Sequence, residues 1–145
     1  MKKIFFALVL SLFTLQNAYG LITVDITRGN LDPLPIAVSP LHVDSKSEKI
    51  SSFETSTLGE EISKIVEKNF KSTGLFNPLK KDSFVQKPDI AHLKPRFEDW
   101  RLIKAQALVT GKLLIIDKKL KVEFRLWDLT AAKEMIALSF TTTPN

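Results

Sequence analysis

The sequence contains no cysteine. That excludes a disulfide framework, a thiolate metal site, a Cys nucleophile and a lipidated Cys. Imidazole is scarce too. The two histidines, His42 and His92, lie 50 residues apart in segments that read as loops. Glycine is sparse, at five in 145 residues, and no Gly-rich phosphate loop, HExxH pair or nucleophile elbow occurs. Internal repeats and low-complexity tracts are absent. Nothing positive points to an enzyme, and neither a cofactor nor a small-molecule substrate is expected. The charge balance is 21 basic to 16 acidic side chains, with no clustered basic stripe. That is a poor footprint for nucleic acid, which is excluded as a partner.

Long apolar runs are missing except at the start. Lys2 and Lys3 precede Ile4 to Leu15, a run of 12 residues interrupted only by Ser11 and Thr14. A bilayer span takes about 20. Ala18-Tyr19-Gly20 then places small residues at the first and third positions. A basic start, a short apolar run and a small-x-small end predict a secretory signal peptide over 1–20. The mature chain, 21–145, is then exported, without stable membrane insertion. Losing Lys2 and Lys3 leaves 19 basic and 16 acidic side chains, a net +3.

Residues 21–28 alternate, with Ile22, Val24 and Ile26 on one face and Thr23, Asp25 and Thr27 on the other, which predicts a strand. A short strand follows over 35–39, then a polar loop over 44–57. The helix 58–72 carries an apolar stripe of Leu58, Ile62, Ile65, Val66 and Phe70. Thr57 and Glu60 suit a capping box, and Gly74 suits a left-handed terminator. Glu60/Lys64 and Glu67/Lys71 are spaced as i,i+4 pairs. A polar loop, 80–95, leads to a short helix, 97–104. Residues 107–116 read as a central strand buried on both faces. Strands 120–127 and 134–141 complete an antiparallel meander, with tight turns at 117–119 and near 130–131. The fold class is α+β: a mixed sheet of about five strands with one long and one short helix.

The acidic clusters are Asp44, Glu60-Glu61 and Glu98-Asp99. Two begin helices, where carboxylates complement the dipole, and one lies in a loop. His42 reads as a loop residue and not a ligand. Trp100 is expected in the core, and Trp127 in cross-strand packing.

Four blocks together resemble the amino-terminal domain of the TolB family: LITVDITRGN after the leader, LPIAVSP, NFKSTGLFNPL, and FEDWRLIKAQALVTGKL followed by LKVEFRLWD. The resemblance covers residues 1–140 in order. It implies a periplasmic component of the Tol-Pal system, which maintains outer-membrane integrity and supports constriction during cell division. It implies that the mature N-terminus binds the C-terminal domain of TolA. By position that segment is Leu21, Ile22, Thr23, Val24, Asp25, Ile26, Thr27 and Arg28. A strand-forming segment of this kind suits β-augmentation of a partner's sheet. Equally, it suits an ordinary strand of this sheet, and one segment exchanging between docked and donated states satisfies both.

The family pattern continues with an amphipathic helix and a six-bladed propeller that carries the contact with Pal. This sequence has no residues for either, so a Pal contact is not carried over. Uncovering four to six apolar side chains would forfeit roughly 6–18 kcal/mol gross, against a typical net stability of about 5–15 kcal/mol. Three readings follow: an adaptor module for a TolA-type partner, a non-functional or split-gene fragment, or a free-standing periplasmic domain with another client.

Overall fold

The computed structural model describes residues 32–47 and 55–143. The expected leader 1–20 and the expected strand 21–28 lie outside the described residues. Those described form β1 (Leu34–Val38), β2 (His42–Val43), α1 (Thr55–Ser72), β3 (Phe76–Pro78), a 3-10 turn (Lys81–Ser83), α2 (Pro88–Ala91), α3 (Phe97–Leu102), β4 (Ala107–Ile116), β5 (Lys119–Asp128) and β6 (Lys133–Thr142). The sheet order is β3-β1-β4-β5-β6. β1 runs parallel to both β3 and β4, and β4-β5-β6 is an antiparallel meander. The expected mixed sheet is therefore present. Its fifth strand on the main path is β3, which sequence patterning left as a return to the core.

β1 and β2 are two pieces of one interrupted strand along β4. β1 pairs with its first half, Ile36 opposite Ala107 and Val38 opposite Val109. β2 pairs with its second half, His42 opposite Lys112. Between them Pro40 has no N–H to give. The Leu41 N–H instead donates to the Gly59 carbonyl in α1, at 3.1 Å. Glycine at 59 permits this close approach, because a Cβ there would fall on the Leu41 carbonyl oxygen. Gly111 faces the same corner: its Cβ would strike the Glu123 carbonyl and crowd the Leu41 side chain.

Both faces of β4 are covered, as its apolar run predicts. On one face Leu58, Ile62, Val66 and Phe70 of α1 pack on Ile36, Val38, Val109, Leu113, Ile115 and Val122. On the other, Leu79, Phe84, Ala91, Phe97, Trp100 and Ile103 pack on Ala37, Leu108, Trp127 and Leu129. Trp100 and Trp127 are both buried, as expected.

Several local readings need correction. α1 begins at Thr55, so Thr57 sits inside the helix and not at its cap. Glu60 pairs with Lys64 at 3.0 Å, as its i,i+4 spacing predicts. Ile65, assigned to the apolar stripe, is 60% exposed, because the stripe facing the sheet is narrower than the sequence pattern. Glu67 pairs with Lys81 at 3.4 Å across elements, where Lys71 was expected. The polar stretch 80–95 is no plain loop: it contains the 3-10 turn and α2. α3 stops at Leu102, and Lys104 takes a left-handed φ of 64°.

Candidate partner-binding site

The segment expected to bind a partner, Leu21 to Arg28, lies outside the described residues. Their surfaces are what the fold offers beside it. β3 and β6 are the outer strands of the sheet. β3 has three residues and ends in Pro78, a blunt edge for strand addition. β6 has ten residues, all exposed. Ile136, Leu138 and Phe140 stand opposite Leu126, Phe124 and Val122, so they lie on the face that carries α1. The helix does not reach them. A groove of about 240 Å³ remains between α1 and β6, lined by Val66, Phe70, Val109, Phe124, Leu126, Ile136 and Leu138, with Arg125 at its rim. The central strands are covered on their second face, so the uncovering anticipated there does not occur; the exposed apolar row lies instead on the outer strand, beside α1.

Polar clamps fix the opposite face and its junction with α1. Gln86 is 3% exposed, and its Oε1 accepts from both the Trp100 indole N–H and the Arg96 backbone N–H, each at 2.9 Å. The Trp127 indole N–H donates to the buried Thr110 hydroxyl at 2.8 Å. Lys81 donates to Ser63 Oγ at 2.8 Å and ties the 3-10 turn to α1. Arg101 donates to the Leu129 carbonyl at 2.7 Å and ties α3 to the end of β5.

The acidic clusters are engaged structurally. Glu98 pairs with Arg101 and Asp99 with Arg96, both within the α3 region at 2.6 Å. Asp44 Oδ1 accepts the Lys46 backbone N–H at 2.9 Å, and this bond holds its carboxyl below the usual range. Glu123 is lowered first by its hydrogen bond from Lys121. Among the described residues no group of three His, Cys, Asp or Glu could hold a metal ion. No helix there is long and apolar enough to cross a membrane.

One juxtaposition was invisible in the sequence. His42 lies in β2, not in a loop, and His92 follows α2. Their rings stack with centroids 4.3 Å apart and planes 3° from parallel. Fifty residues of separation and no shared motif gave no signal of the contact.

This architecture defines a class: a small α/β domain whose interrupted parallel strand and antiparallel meander enclose one core on each face of the sheet. Solved structures share it. TolB from Acinetobacter baumannii superposes with a TM-score of 0.58 at 16% identity, covering 77% of this chain and 23% of that one. The LpoB C-terminal domain from Salmonella enterica gives 0.54 at 8% identity, covering 81% and 87%. At these identities the likeness is one of fold alone. Sequence goes further. The family model for the TolB amino-terminal domain matches residues 22–135. The Tol-Pal system protein TolB of Pelagibacter ubique (strain HTCC1062) is 62% identical over 131 residues, 89% of this chain and 29% of that protein. The chain belongs to the TolB amino-terminal domain family. It spans less than a third of the length of that relative.

Proposed function

We propose that this chain is a non-enzymatic periplasmic adaptor module of the Tol-Pal system. It binds the C-terminal domain of a TolA-type protein through Leu21 to Arg28, and through that contact serves outer-membrane integrity and envelope constriction during division. The observation that carries the reading is the extent of the family match. It runs from Ile22 to Met135 and so takes in all but the first residue of the proposed segment together with the folded domain as far as the start of β6. The alternation of Ile22, Val24 and Ile26 against Thr23, Asp25 and Thr27 supports strand addition. Backbone hydrogen bonds then supply affinity, and alternate side chains supply specificity. Asp25 and Arg28 set polarity and register. The chain is exported by the leader 1–20, which places it in the compartment where such a partner is met.

The test is an NMR titration of the isotope-labelled mature chain with the C-terminal domain of the cognate TolA-type protein. Shifts concentrated in 21–28, and lost when those residues are deleted, establish the reading. Saturating partner with no shift, or shifts that survive the deletion, overturn it.

A further inference from the structure

We propose that the stacked His42–His92 pair is an acid-operated latch that holds α2 against β2 while at least one ring is neutral and lets it go when both are protonated. The geometry carries the argument. His42 opens β2 and is fixed in register opposite Lys112 of β4. His92 directly follows α2, and its Nδ1 lies 3.0 Å from the Pro88 carbonyl. A carbonyl only accepts, so Nδ1 carries the hydrogen and Nε2 is the ring's acceptor. The two rings lie face to face, with their lone pairs directed along parallel planes and not toward a common point. That arrangement suits stacking and not joint ligation of an ion.

Within α2 itself the latch has little competition. α2 is a single turn of four residues, and its N-cap, Lys87, makes no side-chain cap. Its hold on the core is one small side chain, Ala91. Between α2, β2 and α1 lies a cleft of about 400 Å³, lined by Pro40, Leu41, Val43, Glu60, Lys87 and Asp89 along with His42. Gln86 pins the chain on both sides of α2, through Trp100 before it and through the Lys94 carbonyl and the Arg96 N–H after it, so parting of the rings loosens the turn between these anchors, beside the cleft.

The charges around the pair set how protons enter. Asp44 beyond β2 and Asp89 on α2 favour the charged form of His42. Lys112 on β4 and His92 itself disfavour it, as does burial, the largest influence. Glu60 on α1 and Lys87 line the same cleft. One proton on the pair is shared between a cation and a neutral ring, which is compatible with stacking. A second puts two cations face to face at 4.3 Å. Coupled groups of this kind lose their protons in two macroscopic steps that belong to the pair.

The experiment is an NMR titration of the imidazole resonances of the chain, joined to amide exchange of 87–94 above and below the second step. The expected result is two steps separated by more than about one pH unit. Exchange protection of 87–94, corrected for intrinsic rates, should fall about tenfold below the second step relative to β4 and β5, a change of about 1.4 kcal/mol. The variant His42→Gln should abolish the pH-dependent loss of protection. Independent titration of the two rings in the unaltered chain overturns the latch, whether or not the variant folds. So does loss of protection that persists in His42→Gln.

Discussion

Gln86 is the residue on which the segment between the 3-10 turn and α3 depends. One carbonyl oxygen serves two buried donors, the Trp100 indole and the Arg96 amide. Gln86→Leu keeps the volume and removes the acceptor. Each stranded donor costs about 1–3 kcal/mol. A urea double-mutant cycle with Trp100→Phe should then show coupling, because the phenyl ring asks for no acceptor and the second substitution hurts less once the first is made. Additive losses would mean that the clamp is not energetically real. Glycines divide by mechanism. Gly59→Ala drives a Cβ into the Leu41 carbonyl and should destabilise by about 1–3 kcal/mol through backbone displacement. Gly74→Ala meets nothing within 4 Å but must hold a φ of +71°, a penalty of about 1–2 kcal/mol that an Asn at the same position should partly recover. Trp100 was legible in sequence because it falls three residues from Phe97 and from Ile103, and Trp127 as a cross-strand packing residue although it alternates with Lys121, Glu123 and Arg125. Gln86 was not, since a buried glutamine in a polar stretch looks like any solvated one until its partners are known.

At the scale of elements, long periodic segments were legible and short ones were not. β4, β5 and β6 each run ten residues and were read to within a residue or so at each end. β2 and β3 have two and three residues, too few for alternation to register, and exist because β4 and β1 offer them a ladder. The start of α1 was misplaced because Thr57, Gly59 and Glu60 match a capping pattern that the helix runs through. Turn position was legible where turn type was not. Asp117 and Lys118 both hold positive φ, 49° and 56°, in a two-residue hairpin loop of the type that favours Asp-Gly. Lys118→Gly should therefore stabilise the chain by about 0.5–1 kcal/mol, the relief of left-handed strain less the added freedom of the unfolded glycine. Thermal and urea unfolding check this. Lys119→Gly, one residue into β5, should act in the opposite direction.

For the whole molecule, the sheet's two covered faces and its exposed outer strand decide both solubility and response to pH. Ile136, Leu138 and Phe140 are about half exposed in one row beside the α1 groove. Such a row promotes association, and a charge within it opposes pairing. Leu138→Lys should raise the solubility limit while shifting the unfolding free energy by less than about 1 kcal/mol, because the side chain already meets water. The pH response follows from signs. His42 titrates below its ordinary 6.5 in the folded chain, chiefly through burial. The unfolded chain then binds more protons, so this stability is complete above about 6.5 and falls as acid is added. Asp44, Glu60 and Glu123 lie below their ordinary values of 3.8, 4.5 and 4.5, and their contributions disappear in a second, more acidic stage. Lys64 is raised from 10.5 by Glu60, so its part is whole below that value and lost as pH climbs through the folded one. The Glu60–Lys64 pair is exposed and screened by salt, whereas desolvation of His42 is not. Urea midpoints measured across pH at low and high salt should therefore show the carboxylate and lysine limbs flatten with salt while the histidine limb persists. His42→Gln should remove that limb alone. A single acid transition that salt abolishes would place the pH sensitivity in surface ion pairs and not in the partly buried ring.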